Sequence, residues 1–439
     1  MRIAALLLIA GLLILPATHA QPLPYQSPHK TEGAVTCASS LCHGAIKTWQ
    51  DSNILQNEYI TWSRLDKHAR AYNVLLNEES KRIVTNLGLK EPAHQAKICL
   101  DCHAHNVPAG RHGEKFSIND NITCESCHGP AERWIRSHVG PDATHASNIA
   151  DGMYPTDDAT ARAKLCLSCH FGNKDKLVTH RIMGAGHPRM SFELSSFTEM
   201  APKHFVIDRD YGERKRVWDA VKVWAIGQAL MVGETMDWLN DDKRGRDGLF
   251  PELVLFDCHA CHRPMAENRL QAKTPLGMSA TPGLVRLNDS NMLMLRVIAR
   301  AIDPALGERV GARTVALHRA IAGDGDAKQA ATELKSASTE VARRVQTLNV
   351  DAKLMQTIAL GLADEGTNGV YRDYAAAEQA AMALASIGQF MIQQGALKSG
   401  AAFNAQWKRL NETLRYDEKF KPQEFMARMS ELRAVLAPR

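Results

Sequence analysis

The chain shows three kinds of apolar and polar patterning. From Ile3 to Leu15 it is continuously apolar, with Arg2 before the run, Pro16 after it and the small Ala20 just beyond. A basic start, a short apolar run and a small-residue site predict a secretory signal peptide over residues 1–20. The run falls well short of the roughly 20 residues a membrane-spanning helix needs. Residues 21–36, rich in Pro, Ser and Gln, read as a leader. Between residues 37 and 265 periodicity is weak except over 213–240, where Val217, Val221, Trp224, Met231 and Trp238 recur on one helical face. From 266 to 439 the chain is rich in Ala, Leu, Glu, Gln and Arg, with breaks near Gly323, Gly325, Gly366 and Gly400. This pattern predicts a bundle of six or seven helices. In its first long helix, Ser290 is expected as N-cap and Met294, Val297, Ile298 and Ala301 as the buried face.

The weakly patterned region holds the chemistry. The ten cysteines fall into five pairs, and a histidine follows the second cysteine of each. The pairs are Cys37 and Cys42 with His43, Cys99 and Cys102 with His103, Cys124 and Cys127 with His128, Cys166 and Cys169 with His170, and Cys258 and Cys261 with His262. Four have the C-x-x-C-H spacing of c-type haem attachment; the first has four residues between its cysteines. Two thiols reach the two vinyl groups on one edge of a porphyrin, and the adjacent histidine lies under the iron as proximal ligand. An exported chain with ten cysteines invites a disulfide framework instead, and Cys with His also binds zinc. Zinc sites, however, pair half-sites across a regular spacer, whereas here every pair brings its own histidine and the intervals are irregular.

Five haems between Cys37 and His262 leave too little polypeptide for side chains alone to build a core, so the porphyrins are expected to supply much of the apolar volume and to lie close together. The 213–240 stripe is expected to pack against haem or the C-terminal helices. The fold class that follows is mainly α: a haem-packed domain over 37–265, then an α-helical bundle over 266–439. The net charge of +5 gives no reason to expect nucleic acid as a partner. Residues 266–439 carry no phosphate loop or hydrolase nucleophile and are expected to cap the haem array, with dimerisation or partner docking as the alternative.

The segments CASSLCHG, DKHARAY around His68, CESCHGPAERWIRSH ending at His138 and GAGHPRMSFEL around His187 resemble, in this order, the multihaem cytochromes related to the tetrahaem cytochrome c-554 of ammonia oxidisers. That group shares haem-packing motifs with hydroxylamine oxidoreductase and the pentahaem nitrite reductases. The resemblance spans roughly residues 33 to 265. It implies a helical, haem-filled fold with parallel-stacked and roughly perpendicular haem pairs, and distal histidines borrowed from elsewhere in the chain. The sequence departs from the group in its fifth motif at Cys258, its longer first motif and its C-terminal helices. It also lacks the C-x-x-C-K motif of the nitrite reductases, which disfavours that activity.

After the proximal five, 12 histidines remain beyond residue 20 for up to five distal positions. His138, after Gly129 and Pro130, is expected on a short helix whose rise of about 1.5 Å per residue carries it roughly 12 Å from the iron of its own motif, so that it caps a different haem. By resemblance it caps the haem of His43, His68 that of His170, and His187 that of His128. His204 is the candidate for the haem of His262, with His180 competing. Also by resemblance, the haem on His103 is expected to lack a strong distal ligand. His29, His94, His105, His112, His145, His259 and His318 read as ordinary polar residues. Met183, Met190 and Met200 are alternative ligands that raise the potential, but the supply of histidine favours bis-His iron.

The expected function is that of a periplasmic or secreted electron carrier with five haem c groups working between redox proteins, with no catalytic residues. The rival is an oxidoreductase that acts on a small nitrogen or sulfur oxyanion at one five-coordinate haem.

Overall fold

The computed structural model describes residues 21–50, 54–245, 251–262, 276 and 286–436. The expected signal peptide and the division expected at 265/266 lie outside these residues. Among the described residues there is no strand, only two isolated bridges, Thr31 with His112 and Phe256 with Leu287.

Up to residue 215 the helices are short. Glu78–Leu87 shows how they are bounded: the Asn77 side chain accepts from the Ser80 N–H at its start, and Gly88 closes it in the left-handed region. The side-chain core here is small, centred on Tyr72, Leu75, Val84, Ala93, Leu100 and Ala104. Residues 21–36 are no loose leader. The buried Glu125 carboxylate accepts from the backbone N–H groups of Glu32 (2.9 Å), Gly33 (2.8 Å) and Ala131 (2.7 Å), and Gln21 Nε2 donates to the Ile149 carbonyl. One buried acceptor thus satisfies three backbone donors and ties the segment to the third cysteine motif.

The helix expected over 213–240 occupies Ala220–Asn240. Val221, Trp224, Met231 and Trp238 are buried as expected, but Val217 precedes the helix and is exposed. The chain breaks after the short helix Arg209–Arg214, and Asp219 caps the new start by accepting from the Lys222 N–H. This long helix packs most extensively on Ala327–Thr347, and also on Ala159–His170 and Ser290–Ile302. It belongs to the core of the C-terminal helices, one of the two expected neighbours.

Among the described residues beyond 286, seven α-helices follow: Ser290–Ile302, Pro304–Ile321, Ala327–Thr347, Ala352–Thr367, Tyr374–Gln393, Gly400–Glu412 and Pro422–Leu436. Met294, Val297 and Ile298 are buried and Ala301 is half-buried. Ser290 is the first helical residue rather than its cap. The cap position is Asp289, whose carboxylate makes no capping bond and instead meets Arg286 (2.8 Å) and His318 Nε2 (3.1 Å). One continuous apolar core, which includes Trp224, Leu293, Leu362, Leu384 and Phe425, runs from Ala159 to Leu436.

Candidate functional site

Each of the four shorter motifs is presented by the end of a helix. Cys99 to His103 lies in Lys97–His103, Cys124 to His128 forms Cys124–His128, and Cys166 to His170 ends Ala159–His170. The fourth, Cys258–Cys261, stops one residue before His262. Residues i, i+3 and i+4 of a helix share a face, so two thiols and an imidazole point the same way. The longer first motif begins in the 3₁₀ turn Ala34–Cys37 and loops outward, with the His43 N–H returning to the Cys37 carbonyl at 3.2 Å. Gly44 permits the loop to close, since a Cβ there would lie 1.9 Å from the Ala38 carbonyl oxygen. None of the ten cysteines is in a disulfide.

The motif histidines each face a second histidine. Ring centroids are 6.3 Å apart for His43 and His138, 5.9 Å for His68 and His170, 6.5 Å for His103 and His187, 6.2 Å for His128 and His204, and 6.0 Å for His180 and His262. Two imidazoles bound through nitrogen on opposite sides of one metal ion, each about 2.0–2.1 Å from it, place their centroids roughly 6.3 Å apart. The five pairs match that spacing. They supply two axial positions apiece, which suits an iron whose other four positions belong to a porphyrin. Among the described residues no cluster of three or more His, Cys, Asp or Glu is placed to hold a bare metal ion.

Hydrogen bonds orient five of the ten paired histidines. His43 Nδ1 meets Glu58 Oε2 at 2.9 Å, and His68 Nδ1 meets Asp66 Oδ1 at 2.9 Å. The Nδ1–H of His103 donates to the Ala71 carbonyl, that of His138 to the Trp134 and Ile135 carbonyls, and that of His187 to the Pro188 carbonyl. In all five, Nδ1 is engaged and Nε2 is left for a metal, the arrangement by which outer partners fix a ligating imidazole. By contrast, Nε2 itself is committed to Thr31 in His105, to Val107 in His112, to Asp157 in His145 and to Asp289 in His318. Burial, and then the neighbouring His204, push His128 down to about 3, so its imidazole is neutral, the form that ligates. The bond to Glu58 raises His43 against the opposing effect of burial.

Two pairings differ from those expected, and at His262 the competing candidate takes the place. His187 faces His103, not His128. His204 faces His128, not His262, and His180 faces His262. The His103 position expected to be open is therefore opposed by an imidazole. The expectation for His187 came from a four-haem resemblance, which has no counterpart of the motif at Cys258. Each pair spans roughly 80 to 100 positions of chain, so no local spacing encodes it. His138 lies in a 3₁₀ turn, Ser137–Val139, rather than a helix.

Sites touch across motifs. The Cys37 and Cys124 thiols are within hydrogen-bonding reach, as are those of Cys102 and Cys169, and Cys127 lies near Cys166. Large apolar side chains stand exposed near the motifs: Leu41, Ile46, Leu65 and Val139. They suit contact with a flat apolar group. Beside Cys258 a half-open cleft of about 110 Å³ is lined by Met183, Arg189, Trp238, Tyr374 and Asp417, so the C-terminal helices form part of its wall. Sequence reasoning missed Glu58, Asp66 and Glu125, which no spacing signals. No helix among the described residues is long and apolar enough to cross a membrane.

Residues 36–129, which contain the first three attachment motifs, match the family described as cytochrome c554 and c-prime. Among curated proteins and solved structures, none matches the chain. The matched segment, about a fifth of the chain, with its cysteine pairs and facing histidines, supports a c-type cytochrome in electron transfer.

Proposed function

We propose that the protein is an exported five-haem electron relay, periplasmic or secreted, passing single electrons between a donor and an acceptor protein. The observation that carries this reading is the set of five facing imidazole pairs at 5.9–6.5 Å, one for every cysteine motif. Haem supplies reversible one-electron iron chemistry when bound. The chain's part is to anchor, orient and tune. The cysteine pairs fix each porphyrin edge, His43, His103, His128, His170 and His262 take the proximal positions, and His138, His187, His204, His68 and His180 take the distal ones in the same order.

Nδ1 partners lock the ring orientations. Where the partner is a carboxylate, as at Glu58 and Asp66, it increases the ligand's basicity and favours oxidised iron. Bis-His ligation favours low potentials and leaves no position for a substrate, so the imidazole of His187 opposite His103 weighs against the oxyanion reductase. The thiol contacts Cys37 with Cys124 and Cys102 with Cys169 support adjacent haems, which a relay needs. The C-terminal helices help to seat the fifth haem by walling the cleft beside Cys258.

The test is stoichiometry. A pyridine haemochrome assay with intact mass should give five covalent haems on a chain beginning at Gln21. Four haems, with Cys37 and Cys42 unmodified, would remove the first site and with it the five-haem relay.

A further inference from the structure

A lysine buried against the cysteine edges of two haem sites has no role in the account so far. Lys176 is buried, and its Nζ lies 3.4 Å from Cys169 Sγ and 3.9 Å from the centroid of the Tyr25 ring. Cys102 is in contact with Cys169 and also lies in the field of Lys176. Among the described residues no carboxylate pairs with this ammonium; the adjacent Asp175 is held instead by Tyr25 Oη (3.0 Å) and Gln26 Nε2 (2.7 Å).

The loop that carries Lys176 is tightly held. Asn173 Oδ1 accepts from the N–H groups of Asp175 and Lys176, and the Asn173 N–H donates to the Lys176 carbonyl at 2.7 Å. Gly172 makes the turn with φ +121°, where a Cβ would lie 2.8 Å from the Lys176 carbonyl oxygen. Asn173 Nδ2 also donates to Tyr25 Oη, and Arg244 holds the carbonyls of Lys174 and Asp175.

Burying a cation without a counter-ion is costly. A sulfur is a weak acceptor, so the contact with Cys169 does little to repay that cost as a hydrogen bond. What the arrangement provides is a fixed positive charge in a poorly screened place. We propose that Lys176 is a potential-setting residue: its charge favours reduction of the two haems anchored by Cys99 and Cys102 and by Cys166 and Cys169. The inference rests on the five-haem reading. It also gives the relay a direction from the haem of His43, where the Glu58 carboxylate on the proximal ligand acts the opposite way, towards that of His103; at the haem of His170 the Asp66 carboxylate on His68 opposes Lys176 in part.

A unit charge roughly 10 Å from a redox centre, at an effective dielectric of about 20, changes a one-electron equilibrium about tenfold. The test is a spectropotentiometric titration of the holo-protein against Lys176→Met, which keeps the side-chain length, and Lys176→Arg, which keeps the charge. In Lys176→Met two of the five steps should move to lower potential by about tenfold in equilibrium constant, near 59 mV, with five haems still attached. Lys176→Arg should titrate like the parent. Five unmoved steps, or an equal movement of all five, would overturn the inference and leave the relay standing. Should Lys176→Met fail to fold, a Lys176→Arg protein that shows the lowered steps despite its retained charge would overturn it as well. A parent protein lacking haem at Cys102 or Cys169 would overturn the reading beneath it.

Discussion

The region around the first three motifs and the C-terminal helices bury apolar surface by different means. Around the motifs the side-chain core amounts to a cluster near Leu75 and Leu100, while Leu41 and Ile46 stand more than four-fifths exposed. In the helical bundle Leu293, Leu334, Leu362, Leu384 and Phe425 have no exposed surface at all. The first region brings together ligand pairs and short helices that cannot close a core by themselves. The second follows the ordinary rule that amphipathic helices cover one another's apolar faces. On the proposed reading, haem fills the packing role that side chains leave open in the first region.

The largest expected effect follows from that contrast. Protein made without haem attachment should lose hydrogen-exchange protection over 97–103 and 124–128 yet keep it at Leu293 to Ile298 and around Leu362. Equal protection in both regions would show that the haem region folds on side chains alone. A core truncation should act in the opposite place. Leu362→Ala should destabilise the bundle by about 2–5 kcal/mol without moving the haem potentials, read by chemical denaturation beside a redox titration.

The smallest effect concerns Glu234 on the long helix, where burial, and then Asp237, push the carboxyl up to about 7 against the pull of Lys335 and Lys164. The folded state therefore holds this proton more tightly than the unfolded chain does. Stability should fall as pH rises between about 4.5 and 7, by roughly 1–2 kcal/mol after allowance for partial exposure. Glu234→Gln should flatten that slope in thermal melts; an unchanged slope would place the titration elsewhere.

Much of this was legible in the sequence, though unevenly. The cysteine pairs and proximal histidines are read directly from C-x-x-C-H spacing, because attachment is a local requirement that one helical turn meets. The seven C-terminal helices were legible because their apolar period is regular. The distal histidines were only partly so: His138 and His68 meet the expected partners His43 and His170, His187 and His204 face other partners than expected, and His262 meets His180, the competing candidate. Facing across an iron is a tertiary relation, and nothing adjacent to His180 or His204 marks its partner. Val217 shows a second limit, since its place on the helical stripe is real in the sequence but the helix starts only at Ala220. Lys176 carried no signal, because a buried cation is visible only once the loop of Asn173 and the ring of Tyr25 are placed around it.

The central claim, that every iron has two imidazoles, is open to one direct measurement: electron paramagnetic resonance of the fully oxidised holo-protein. The rings are close to parallel for His43 with His138 (12°) and moderately inclined for His180 with His262 (32°), but steeply crossed for His68 with His170 (82°), His103 with His187 (74°) and His128 with His204 (88°). Crossed imidazoles give highly anisotropic low-spin signals with a large principal g value, and near-parallel ones give ordinary rhombic signals. The account predicts five low-spin irons, three of the first kind and two of the second, and no high-spin signal. A high-spin iron in the intact protein, above all one that binds carbon monoxide once reduced, would contradict it.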